Sequence, residues 1–123
     1  MAINFKYDSE KEFLVIKISG LLDWDKLRQA AENIATSTEF PKDVDTLYDL
    51  TEMDFSNITA EFEQKLIHFR KQLDRGNAKI ACLVANDVGF GMGRMYEVLS
   101  EDLPQQVRVF RELNEAQMWL LST

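Results

Sequence analysis

Two kinds of apolar spacing take turns along this chain. One alternates every second residue or forms a short unbroken run, the other recurs every three to four residues, and their order predicts the architecture. Ile3, Phe5 and Tyr7 alternate with polar residues, and after the polar turn Ser9 to Lys11 the run Phe13 to Ile18 is almost continuously apolar. This predicts a hairpin with its first strand at a sheet edge and its second deeper in the sheet. Trp24, Leu27, Ala30, Ala31 and Ile34 then fall at helical spacing behind Asp23, so a helix capped by that aspartate runs to about Thr36 and is broken by Phe40-Pro41-Lys42.

Thr46 to Leu50 predicts a short strand, followed by a turn-prone stretch from Thr51 to Ile58. Thr59 caps a second helix with Phe62, Leu66, Phe69 and Leu73 inward, stopped at Gly76. Ala78 to Ala85, apolar at nearly every position after Lys79, suits a central parallel strand covered on both faces. A glycine-bearing loop then leads into a third helix with Met92, Met95, Tyr96 and Leu99 on one face, ended near Pro104. Val107 to Phe110 forms the last strand, and Asn114 opens a final helix with Gln117 at the third position of a capping box and Trp119 and Leu120 facing the core. The order β-β-α-β-α-β-α-β-α defines an α/β fold, a mostly parallel sheet joined by right-handed crossovers with only the first strand antiparallel.

Several short segments fall on this frame in a characteristic order: Gly20-Leu21-Leu22, Tyr48-Asp49-Leu50, Gly91-Met92-Gly93-Arg94-Met95-Tyr96, Val109-Phe110-Arg111, then Glu115-Ala116 and Trp119-Leu120. Together they resemble the SpoIIAA-like family of small bacterial proteins, a relative of the STAS and Sec14-type lipid-exchange scaffolds. The resemblance spans nearly the whole chain. It implies a sheet wound as a βα superhelix and a family whose members mostly lack an assigned biochemical role. STAS anti-sigma antagonists carry an Asp-Ser-Ser-Gly-like segment in which a serine is phosphorylated to control a protein partner. The corresponding stretch here is Asp54-Phe55-Ser56-Asn57-Ile58-Thr59, so the resemblance marks Ser56 as the phosphosite or interaction residue, although the adjoining serine and the glycine are absent. A turn in which Asp54, Ser56 and Asn57 bond local backbone is the simpler reading.

Composition narrows the function classes. At 123 residues the chain is sized for one domain, 1–123, able to bury a continuous core. A net charge of −7 repels phosphate backbones, and the basic residues Arg70, Lys71 and Arg75 alternate with Glu63, Gln72 and Asp74 as on a solvated helix face, so no nucleic-acid partner is expected. The single cysteine, Cys82, lies in an apolar run and reads as a buried, unreactive thiol of a reducing compartment. Met1 to Asp8 has neither a basic nor a sustained apolar stretch, which predicts a cytoplasmic protein without a transmembrane segment. The exposed first strand leaves a sheet edge that a second copy could cover as a homodimer.

Chemistry, by contrast, has few footholds. His68 stands alone in a helix without a second metal-ligating partner, and there is no serine at a nucleophile elbow. Asp23, Asp25, Asp49, Asp54 and Asp87 gather near the carboxyl rim of the sheet, yet helix capping explains more of them than a magnesium site does. Neither a cofactor, a metal nor an enzymatic activity is expected. The most suggestive stretch is Asn86 to Arg94, which follows a buried strand and opens a helix. Three readings fit it, in this order: a loop whose glycines serve its turns, an anion or lipid-headgroup site, and a dinucleotide site. The expectation is a binding or regulatory domain holding a small anionic or lipid-like ligand at a rim built from Trp24, Phe90, Gly91, Gly93 and Arg94. The alternative is a STAS-type protein-interaction module with a degenerate phosphoserine site at Ser56.

Overall fold

The computed structural model describes residues 1–122. Five strands and four helices follow one another as β1 (Ala2–Asp8), β2 (Phe13–Leu21), α1 (Trp24–Thr36), β3 (Asp45–Asp54), α2 (Ala60–Arg70), β4 (Lys79–Leu83), α3 (Asp87–Leu99), β5 (Gln106–Phe110) and α4 (Leu113–Leu121). The sheet order is β1-β2-β3-β4-β5, with β1 antiparallel to β2 and every other pair parallel. This is the predicted element order and pairing.

Because β2 to β5 lie side by side in chain order, each right-handed crossover deposits its helix on the same face, so α1, α2 and α3 share one side of the sheet. Strand alternation feeds that side with Leu14, Ile16 and Ile18 from β2 and Ile80, Cys82 and Val84 from β4 and its end. The opposite phase, Phe13, Leu47, Ala81, Leu83 and Phe110, packs against Ala116 and Leu120 of α4. Helix α4 therefore folds back alone beneath the other face.

The helix starts follow local chemistry. Asp23 accepts from the Lys26 amide at 3.2 Å to cap α1, and Thr59 accepts from the Phe62 amide at 3.1 Å to cap α2, both as expected. Four local expectations are corrected. Strand β3 continues to Asp54, because beyond a register irregularity at Lys17/Ser19 the end of β2 pairs Ser19 to Leu21 with Glu52 to Asp54. Helix α2 ends at Arg70, well before Gly76, whose φ of +53° serves the later turn into β4. Helix α4 begins at Leu113 behind Glu112 with no side-chain cap, so Asn114 and Gln117 lie inside it and form no capping box. On α3, Met95 faces outward and is exposed, since the helix turns Met92 and Tyr96 toward the sheet instead.

Candidate functional site

The glycine stretch is helical. Asn86, rather than Asp87, caps α3, its side-chain oxygen accepting from the Gly89 amide at 2.8 Å, so Gly89, Gly91 and Gly93 all lie within the helix and the expected loop does not exist. The glycines have a packing purpose. A Cβ on Gly93 would sit 2.4 Å from Val109 Cγ2, and one on Gly89 would sit 3.0 Å from Phe55 and 3.1 Å from Val84 Cβ. At Gly93 the helix backbone lies against β5 closely enough to exclude a side chain, and at Gly89 a Cβ would fit only if Phe55 and Val84 gave way by a few tenths of an ångström. Gly91 points to open space.

The five rim residues are not assembled into one site. Trp24 is the first residue of α1 and packs edge-on to Phe62 (5.8 Å) and Phe69 (5.6 Å) of α2, with Lys65 Nζ 4.4 Å from its ring centre. Phe90 lies half-buried against the Ile80, Cys82, Val84 and Val109 cluster, with the Arg111 guanidinium 4.5 Å over its face. Arg94 is exposed and pairs with Glu97 at 2.7 Å, while the other oxygen of Glu97 accepts from the Val109 amide at 2.6 Å. Ser56 is exposed in a turn, its amide donating to Asp54 Oδ1 at 2.9 Å. The acids of the rim are similarly occupied: Asp49 accepts from Thr51 and Asp87 pairs with Arg111 at 2.8 Å. Among the described residues no three metal-ligating side chains converge.

The cavity lies deeper, between α2 and the sheet. Its volume is about 140 Å³. Tyr48 and Leu50 of β3 with Ile80 and Cys82 of β4 form its floor, and Phe62, Leu66 and Phe69 of α2 form its roof. Leu27 and Ala31 of α1 and Met92, Gly93 and Tyr96 of α3 close the sides. Of the five expected rim residues, Gly93 alone reaches this space.

Polar groups enter it at a few points. Arg70 Nη1 donates to Tyr96 Oη and Ser100 Oγ, both at 2.8 Å, and Nη2 donates to Gln105 Oε1 at 3.1 Å, tying the end of α2 to α3 and the loop beyond. Arg75 is buried, donating from Nε to the Lys42 carbonyl at 2.8 Å and from Nη2 to the Val44 carbonyl at 2.9 Å and Thr46 Oγ1 at 2.8 Å. Glu63 is 4 % exposed, and its Oε2 is buried with no hydrogen-bond partner. The solvated face expected for Glu63, Arg70 and Arg75 is thus corrected. On α2, Glu63, Leu66 and Arg70 share an inward stripe at three- and four-residue spacing, and Leu73 and Arg75 lie beyond the helix. Burial pushes the Glu63 carboxyl up to about 7 and the Cys82 thiol up to about 12, and it raises Tyr48 and Tyr96 as well.

A five-stranded α/β layer with three crossover helices on one face and a partly open apolar pocket beneath the middle helix defines a small α/β scaffold. The chain belongs to the SpoIIAA-like family, whose profile matches residues 13–121. It is similar in fold to the crystal structure of an uncharacterized protein of the DUF3478 family with a SpoIIAA-like fold from Shewanella loihica PV-4. The two share 22 % identity at a TM-score of 0.60, over 97 % of this chain and 92 % of that one. No curated protein matches the sequence. No helix among the described residues is long and apolar enough to cross a membrane.

Proposed function

We propose that this chain is a non-enzymatic binding domain for a small, lipid-like apolar ligand, held in the cavity between α2 and the sheet. The observation that carries the reading is the cavity itself, about 140 Å³ and walled almost entirely by aliphatic and aromatic side chains. Apolar cavities of about 150 Å³ take up benzene-sized molecules, because hydrocarbon walls that lack partner atoms forfeit dispersion contacts that a hydrocarbon restores. The thiol at its floor, Cys82, is held neutral by burial and contributes surface rather than a nucleophile.

The reading is tested by melting the protein with and without saturating benzene, since a ligand that binds only the folded state stabilises it by mass action. A saturable rise in melting temperature is expected for the natural chain and none for Cys82→Leu, whose larger side chain projects from β4 into the same space. An unchanged melting temperature in the natural chain contradicts the proposal.

A further inference from the structure

The polar groups around the cavity are not equivalent. Arg70 and Arg75 direct their guanidinium groups at protein oxygens: Tyr96, Ser100 and Gln105 for the first, Lys42, Val44 and Thr46 for the second. These contacts take up three of the five N–H donors of each guanidinium and hold α2 and the segment after it in place. Arg94, the cation expected to receive an anion, is exposed and neutralised by Glu97. Glu63 is the reverse case. It is 4 % exposed, it lines the cavity, and its buried Oε2 has no partner.

A buried carboxyl oxygen without a hydrogen bond costs free energy whether the group is ionised or protonated, and the cost persists until a donor meets it. A donor that also carries positive charge relieves both the missing hydrogen bond and the desolvated charge. Apart from Arg70, Arg75, Gln105 and the tips of Tyr48, Tyr96 and Cys82, the wall is hydrocarbon and admits a body of roughly one ring. We infer that the cavity selects a compact apolar amine, its protonated amino group on the Glu63 carboxylate and its hydrocarbon body between α2 and the sheet. The inference rests on the apolar-ligand reading above and specifies the charge of the ligand. It replaces the anionic ligand expected from the sequence with a cationic one.

The pairing requires an ionised Glu63, so binding depends on pH. Facing the cavity from β3, β4 and α3 are Tyr48, Cys82 and Tyr96, all pushed upward by burial and therefore uncharged near neutrality. Helix α1 contributes only apolar side chains such as Leu27 and Ala31, and the remaining charges are the guanidiniums of Arg70 and Arg75. Glu63, raised to about 7, is the group whose charge changes between pH 6 and pH 8.

Three molecules sharing one ring and differing in head group separate the possibilities: benzylamine, benzyl alcohol and benzoate, titrated calorimetrically into the full chain at pH 8 and pH 6. Benzylamine is expected to bind about tenfold or more tighter than benzyl alcohol at pH 8, with benzoate weakest, and the amine's advantage is expected to shrink at pH 6. Glu63→Gln is expected to bind benzyl alcohol as the natural chain does and to lose the preference for the amine. Should that variant fold poorly, the pH comparison on the natural chain decides the same question. Equal affinities for the three probes, tightest binding of benzoate, or an amine preference that survives in Glu63→Gln overturns the inference while leaving the cavity reading intact. Failure of all three to bind at either pH overturns both.

Discussion

Glu63 occupies a position on α2 where its helical neighbours Leu66 and Ile67 are buried or half-buried, and its carboxyl shares their environment. Burial raises its proton affinity, so the folded chain holds this proton to about pH 7, whereas the unfolded chain releases it near 4.5. Between those values the native state binds more protons than the unfolded state, and stability must fall as pH rises through that window and level off above it. The shift corresponds to roughly 3 kcal/mol at pH 8. Urea unfolding at pH 5 and pH 8 should therefore show the natural chain weaker at pH 8, with the difference removed and the pH 8 stability raised in Glu63→Gln. Equal slopes in the two proteins would contradict this account of the residue. Asp54 and Asp74, both held low by hydrogen bonds, withdraw their contributions only as pH falls into the acid range, so they do not mask the effect.

At the scale of the element, α3 shows how tertiary packing overrides local preference. Three glycines in the five residues 89–93 weaken a helix by about 1 kcal/mol each relative to alanine, and in sequence they read as a loop whose glycines serve its turns. The helix nevertheless starts at Asp87, because Asn86 caps it and because Gly89 and Gly93 let its backbone settle on Val84 and Val109. Two substitutions of the same kind should therefore have opposite effects. Gly91→Ala, whose Cβ meets nothing within 4 Å, should stabilise the protein by up to about 1 kcal/mol. Gly93→Ala, whose Cβ would strike Val109, should destabilise it by about 1–3 kcal/mol. Chemical denaturation of both variants checks the pair, and a Gly93→Ala as stable as the parent would refute the close-approach explanation.

The same contrast explains what could be read in advance. The succession of strands and helices, the antiparallel first strand and the caps at Asp23 and Thr59 were legible because periodicity and capping are local. The inward turn of Glu63 and Arg70 had only a faint signal, their place on the stripe of Leu66, and charge alternation argued the other way. Trp24 and Phe90 were both aromatic and both near helix starts, yet one wedges against α2 and the other against the sheet under Arg111. Which neighbour an aromatic ring finds depends on helix placement, a tertiary quantity that spacing alone does not encode.

For the whole molecule, the cavity follows from topology. Sequential parallel strands place three helices on one face, and α3 is drawn onto β5 while α2 meets chiefly α3. Trp24 wedges between α1 and α2, and Arg70 braces the far end of α2 against Tyr96 and Ser100. Between these supports the middle of α2 spans the sheet without closing on it, and the apolar space beneath it is the feature a ligand can use. Titration of the protein with benzyl alcohol, followed through its backbone amide chemical shifts, tests this most directly. Saturable changes concentrated on Phe62 to Phe69, Tyr48, Cys82 and Tyr96 are the predicted result, and changes that do not saturate, or that gather instead on Trp24, Phe90, Gly91 and Arg94 outside the cavity, would contradict it.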